Sequence, residues 1–199
     1  MNLNAVNGIY QDIRRSQPMN KLLVLVDFQN DFIDGALGTP ESIAIVPNVI
    51  KKVKEWDGDI WFTVDTHYNN YFETNEGKHL PVLHCIKDTI GWELHDGVAN
   101  IVREKLTPHE FQGGTFLKNS FGSNRLAYNI KIEGYDYIEF IGLCTDICVI
   151  SNAIIAKSYV PEAQIVVDSN CCAGSTPENH NAALNVMKAC QIDILEEIK

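Results

Sequence analysis

The chain has 199 residues, 45% of them hydrophobic, and a formal net charge of −10. That suffices for one α/β domain with a real core and is too little for two. No basic stripe offers itself to nucleic acid or to an anionic membrane, and no apolar run is long enough to span a bilayer, so the acidity reads as an ordinary cytoplasmic surface.

Residues 1–19 are polar and weakly patterned, with Asp12, Arg14 and Arg15 among them. They read as an N-terminal arm or extension rather than a signal peptide, and Met19 is a candidate internal start. Residues 20–199 then form a single domain. Leu22 to Val26 is an unbroken aliphatic run of the kind buried parallel strands show, and it stops at Asp27. Phe28 to Phe32 reads as a loop. Apolar residues at Ile43, Val46, Val49, Ile50 and Val53 predict a helix over 42–56. Ile60 to Val64 is a second strand, ending at Asp65.

Between Thr66 and His84 the pattern fails and loop formers take over (Asn69, Asn70, Asn75, Gly77, Pro81). A loop of that length in a small domain calls for a functional reason. Residues 91–106 read as a helix and Thr115 to Leu117 as a short strand ending at Lys118. Further elements are a helix over 124–132, a strand over 137–143, a helix over 150–159, a strand over 164–167 ending at Asp168, a helix capped by Ser175 or Thr176, and a last strand over 192–195. Strands alternating with helices throughout predict a three-layer α/β/α sandwich around a mainly parallel sheet. Neither a G-x-G-x-x-G nor a Walker A sequence is present. The six cysteines, at 85, 144, 148, 171, 172 and 190, have no zinc-ribbon spacing and read as reduced thiols, with Cys171-Cys172 as core filling.

In a parallel sheet, ligands bind beyond the carboxyl ends of the strands. Asp27, Asp65, Lys118 and the segment Cys144 to Cys148 all follow strands, so they are expected at one edge. Each has an ordinary alternative, as a cap, a turn former or a solvated lysine. Together they are chemically coherent. Asp27 can take a thiol proton, and Lys118 can stabilise a thiolate. Cys148, on the first turn of a helix, sits where free N–H groups and the helix dipole favour negative sulfur. A second cluster is Asp65-Thr66-His67 with His84 and the intervening acids Glu73 and Glu76. It offers N and O ligands suited to zinc, manganese or iron.

In order along the chain, Leu25-Val26-Asp27-Phe28-Gln29-Asn30-Asp31-Phe32, Asp65-Thr66-His67, Leu83-His84-Cys85, Phe116 to Phe121 and Gly142 to Val149 resemble the motifs of the isochorismatase-like cysteine hydrolase superfamily. Within it they are most similar to the nicotinamidase/pyrazinamidase branch. The resemblance implies a six-stranded sheet, an Asp27-Lys118-Cys148 triad and a cis peptide between Leu143 and Cys144. It implies an oxyanion hole from the backbone N–H groups of Cys144 and Cys148, and a divalent ion on Asp65, His67, His84 and a glutamate. Glu76 is the favoured glutamate and Glu73 the second. It also implies a small amide substrate and a homodimer or homotetramer. The aromatic residue that often precedes the closing histidine in that branch is missing from Leu80-Pro81-Val82-Leu83. Phe32 and Phe121, with Tyr68, Tyr71 and Phe72, are the candidate pocket walls instead. Alternative readings are an N-carbamoyl amide hydrolase, an isochorismatase-type vinyl-ether hydrolase, against which Cys148 argues, and a non-catalytic binding protein on the same scaffold.

Overall fold

The computed structural model describes residues 19–196. The arm expected over 1–19 therefore lies, Met19 apart, outside the described residues. The strands are β1 (Lys21–Val26), β2 (Asp59–Asp65), β3 (Thr115–Lys118), β4 (Tyr137–Leu143), β5 (Gln164–Ala173) and β6 (Asp193–Leu195). All pair in parallel, in the order β3-β2-β1-β4-β5-β6. The order reverses at β1, whose two neighbours are β2 and β4. That is the switch point at which open α/β sheets leave a crevice for ligands.

The aliphatic run of β1 serves both faces of the sheet. Leu22, Val24 and Val26 join one core and Leu23 and Leu25 the other, all fully buried. The first core lies under α6 (Asn124–Glu133), α7 (Ile150–Tyr159) and α8 (Pro177–Ala189), through residues such as Leu126, Ala153 and Met187. The second lies under α2 (Pro40–Glu55) and α4 (Asp96–Lys105), through Val49, Val53, Val98 and Val102. A strand buried on both faces has no polar side to alternate with, which is why the run reads as continuous. The expected three-layer sandwich is therefore present. Among the described residues no helix is long and apolar enough to cross a membrane.

Several local expectations change. The stretch read as a loop at 28–32 contains a short helical turn, α1 (Asn30–Ile33). The loop over 66–84 holds a 3-10 turn (Tyr71–Glu73) and α3 (Asn75–His79). Thr74 starts α3 by accepting the Gly77 N–H at 3.0 Å, a cap too local to create an apolar period. The helix expected over 91–106 splits into a 3-10 turn (Ile90–Trp92) and α4, and is followed by an unpredicted α5 (Pro108–Gly113). The Thr107–Glu110 capping box and Pro108 at the first turn account for α5. The strand expected to end at Asp168 runs on to Ala173 past an irregularity in its pairing with β4, with the Asp168 carboxylate within it paired to Lys52 at 2.8 Å. Cys171 and Cys172 thus lie within β5, both buried.

One glycine is required by the sheet. Gly142 has φ +117° and pairs with Val26 in register. A Cβ there would lie 2.1 Å from the Val26 carbonyl oxygen, so only glycine lets β4 run this close to β1 just before the Cys148 turn.

Candidate active site

The carboxyl ends of β1, β2, β3 and β4 bring the expected groups together. Asp65 and Lys118 are paired in register as the last residues of β2 and β3. Asp27 follows β1 directly, at φ +45°, with its backbone N–H on the Thr63 carbonyl at 3.1 Å. Its carboxylate is fully buried. Oδ1 accepts the Thr63 hydroxyl at 2.7 Å, and Oδ2 faces the Lys118 ammonium at 2.6 Å. The same Nζ reaches Cys148 Sγ at 3.5 Å and Asp65 Oδ1 at 3.3 Å. One buried cation thus links the proposed base, the proposed nucleophile and the histidine cluster.

The peptide between Leu143 and Cys144 is cis. Thr145–Val149 then forms a π-helical turn, not the α-helical start expected, before α7 continues it. The Cys144 carbonyl accepts the N–H groups of Ile147 at 3.1 Å and Val149 at 3.0 Å. Cys148 sits inside this turn with its side chain buried. Burial pushes its thiol well above the ordinary value. Asp27 pushes it further, and Lys118 opposes both. Desolvation thus works against the stabilisation of a thiolate that the turn and the lysine offer. Burial, helped by Asp65, also raises Asp27, against the pull of Lys118. Burial alone would lower Lys118, yet Asp27, Cys148 and Asp65 hold it well above the usual lysine value, as ammonium. Burial raises Cys144 to about 12.

The second cluster assembles from three segments. Asp65 ends β2, His67 lies two residues on, Glu76 comes from α3, and His84 closes the loop. Four donor atoms, one from each, lie within 4.8 Å of one another. His67 Nε2 stands 3.0 Å from Asp65 Oδ2 and 3.6 Å from Glu76 Oε1. His84 Nε2 stands 3.5 and 3.7 Å from the same two oxygens. A tetrahedral ion with bonds of about 2.1 Å would set its ligands roughly 3.4 Å apart, so the group fits such an ion. His67 Nε2 is buried without a hydrogen bond. The Nδ1 of His84 lies 2.8 Å from the Val82 carbonyl, a contact that, with Nδ1–H as donor, frees Nε2 as a ligand. Burial and the neighbouring Asp65 push Glu76 above its ordinary range. Two carboxylates and two imidazoles packed this way could hold a divalent cation. Glu73 is exposed and stands outside the group.

Fully buried Tyr71 backs the cluster edge-on, with its ring 4.7 Å from His67 and 5.2 Å from His84. Phe32 is buried edge-on against His84 at 5.6 Å. Phe121, Tyr68 and Phe72 are about half exposed. Clefts of about 590 and 780 Å³ lie elsewhere, and neither is lined by Asp27, Lys118 or Cys148.

Sequence reading passed over the residues that brace these groups. Gln29, fully buried, accepts the Asp65 N–H at 2.8 Å and donates to the Asp65 carbonyl at 2.9 Å and the Trp92 carbonyl at 2.8 Å. Asp31 accepts the Cys85 N–H at 2.7 Å, next to His84. Trp92 Nε1 donates to the Thr66 hydroxyl at 2.9 Å. Gln29 and Asp31 lie in the stretch after Asp27, where an amide and an acid read equally well as loop polarity; only their long-range partners distinguish them.

The isochorismatase domain profile matches residues 21–197. The chain is 24% identical over 216 residues to a nicotinamidase of Saccharomyces cerevisiae, covering 89% of this chain and 100% of that one. Its structure resembles the crystal structure of a nicotinamidase/pyrazinamidase from Bacillus subtilis, with a TM-score of 0.77 at 25% identity, over 89% of this chain and 100% of that one. A pyrazinamidase of Pyrococcus horikoshii in complex with zinc aligns with a TM-score of 0.71 at 26% identity, over 89% and 99% of the two chains. The profile spans the whole sheet and every residue of both clusters, and the chain therefore belongs to the isochorismatase family.

Proposed function

We propose that this protein is a cysteine-dependent amidohydrolase of the nicotinamidase type, converting nicotinamide and water to nicotinate and ammonia through a thioester. The observation that carries this reading is one buried ammonium, Lys118, in contact with Asp27, Cys148 and the metal-ligand residue Asp65. The similar chains named as nicotinamidases support the substrate class.

Asp27 takes the Cys148 proton as the sulfur attacks the carboxamide carbon, so the thiolate forms only with substrate in place. The backbone N–H groups of Cys144 and Cys148 hold the oxyanion. Donors in that role contribute about 3–4 kcal/mol each when removed one at a time. Asp27 passes its proton to the departing ammonia. It then takes a proton from water as the water oxygen attacks the thioester carbon. Collapse releases the carboxylic acid, and Cys148 recovers its proton. Lys118 stays positive throughout and keeps the low-dielectric site neutral while charge moves between Asp27 and sulfur. Asp65, His67, Glu76 and His84 would hold a divalent ion of the zinc, manganese or iron class, which when bound supplies a Lewis-acidic anchor for the ring nitrogen. Phe32 walls the ring site beside His84, and Phe121 closes it from the lysine segment.

An N-carbamoyl amide hydrolase would use the same triad, but the four-ligand cluster favours the nicotinamidase reading. Ammonia release from nicotinamide, pyrazinamide and N-carbamoyl amino acids, with and without chelator, tests it. Chelator-sensitive turnover of nicotinamide is expected. Turnover of carbamoyl compounds alone overturns it.

A further inference from the structure

The Lys118 segment and the Cys148 turn come from distant parts of the chain, and the mechanism needs their side chains at fixed separation. Backbone pairing does not supply this, because β3 and β4 are not neighbours in the sheet. Among the described residues, one side chain hydrogen-bonds to the backbone of both segments. Asn152, in the first turn of α7, is buried. Its Nδ2 donates to the Cys148 carbonyl at 2.8 Å and to the Phe121 carbonyl at 3.2 Å. Its Oδ1 accepts the Ser123 N–H at 3.0 Å. All three partners are backbone groups, one in the nucleophile turn and two in the segment that follows Lys118.

The chemistry of the amide suits this place. In the π turn the Cys144 carbonyl takes the N–H groups of Ile147 and Val149 and the Ile147 carbonyl that of Ile150, and two side chains add further donors to the turn. Ser151 Oγ meets the Ile147 carbonyl at 2.6 Å, and Asn152 meets that of Cys148. Asn152 alone also reaches across, and only a side chain with both donors and an acceptor can serve two carbonyls and an N–H together. Ser123 is in turn the N-cap of α6, accepting the Leu126 N–H at 3.1 Å, so the strap ends on a rigid element.

We propose that Asn152 is a positioning residue for the amidase reaction, setting the distance between Lys118 and Cys148 by strapping the lysine segment to the nucleophile turn. This rests on the amidase reading above. Asn152 touches no reacting atom. Its effect belongs to kcat rather than to substrate binding, since a small misplacement of reacting groups can cost up to about 100-fold in rate.

The test uses Asn152→Ala and Asn152→Thr in the full chain. A helical threonine can return its hydroxyl to the carbonyl four residues back, so Thr keeps the Cys148 bond but cannot span to Phe121 and Ser123. Three quantities are read: steady-state ammonia release, thermal unfolding, and the rate of Cys148 alkylation by iodoacetamide. In both variants kcat is expected to fall about tenfold or more with KM within about twofold, and alkylation to slow about fivefold or more. Thr should recover melting temperature without recovering kcat. Full kcat in folded Asn152→Thr, or a loss of melting temperature alone in both variants, overturns the proposal. If the wild type releases ammonia from no amide, the amidase reading fails. The alkylation rates then still decide whether Asn152 holds Lys118 against the thiol: slowing in Thr as in Ala supports the strap, and a wild-type rate in Thr overturns it.

Discussion

Lys118 Nζ and Asp27 Oδ2 meet at 2.6 Å where neither has appreciable contact with water. A buried pair of this kind is weak evidence for stability, since both charges were taken out of water to form it. Its value here lies in poise. Lys118 keeps Asp27 from being raised as far as burial would take it, and the same ammonium faces the thiol.

Replacing Lys118 by methionine removes that poise. Asp27 should then hold its proton more tightly, since Lys118 is the chief group pulling its carboxyl down, and serve less well as a base. We expect kcat to fall by at least about 100-fold. The stability loss should be smaller than the roughly 3–5 kcal/mol usual for a broken buried pair, because protonation relieves the carboxylate. Urea unfolding alongside ammonia release measures both, and a variant that is badly destabilised yet active would refute the assignment.

The two cysteines of the turn should behave differently. Cys148→Ala is expected to abolish turnover, a loss of about 1,000-fold or more if sulfur forms the acyl intermediate. Cys144→Ala should stay within about threefold of the parent, since its backbone N–H is the group assigned to the oxyanion. Trapping an acyl adduct by mass spectrometry on Cys148 alone is the direct check.

The pH dependence follows from Asp27. Burial chiefly, and then Asp65, raise it, and Lys118 only partly compensates, so its folded value lies above the ordinary 3.8. The acid limb of kcat/KM should accordingly lie above the usual carboxylate range. For stability the sign is opposite to that of a salt-bridged surface acid. The folded state holds this proton more tightly than the unfolded chain, so the contribution of Asp27 is greatest at low pH. It fades as pH rises through the folded value. Asp27→Asn should flatten that part of the stability profile; an unchanged profile would show that Asp27 does not titrate as described.

Metal binding to the folded chain alone should stabilise it. At a free ion concentration 100 times Kd the gain is about 2.7 kcal/mol. Adding chelator should lower the melting temperature and the turnover together, and His67→Ala should remove the response to added zinc. Glu73→Ala should leave that response intact, because Glu73 stands outside the cluster. Equilibrium dialysis reads the ion directly.

Gly91 tests the brace behind His84. A Cβ at Gly91 would lie 2.2 to 2.4 Å from the Asp31 carboxyl group, whose Oδ2 holds the Cys85 N–H. Gly91→Ala should cost about 1–3 kcal/mol by overpacking and weaken zinc binding as well. Gly113→Ala, with nothing within 4 Å of the new methyl, is the matched control and should be neutral or slightly stabilising. Equal metal affinity in the two variants would separate Asp31 from the site.

Much of the site was legible along the chain. Unbroken aliphatic runs stopping at Asp27 and Asp65, and the short strand closing on Lys118, marked the edge where these groups gather, since burial on both faces leaves polar residues only where a strand ends. Thr176 followed by Pro177 marked α8 through capping alone. The helical turns around Glu76 and Asn30 were not legible, because a Thr cap holds the first and bonds from Asn30 to the Ile90 and Glu93 carbonyls tie down the second, without an apolar period. The bracing roles of Gln29, Asp31 and Asn152 were not legible either. Each is a common polar residue whose meaning depends on a partner far along the chain.

By itself the sequence determined which segments become strands, which residues stand at their carboxyl ends and, through the ordered motifs, which family the chain belongs to. Those are local properties, set by side-chain burial and caps within a few residues. The tertiary structure alone decided that Lys118 faces both Asp27 and Cys148, that Glu76 rather than Glu73 stands among the histidines, and that the Cys148 side chain is buried. Each depends on strand order, on close packing across segments and on how completely water is excluded. Those quantities come into being only when distant parts of the chain are brought into contact.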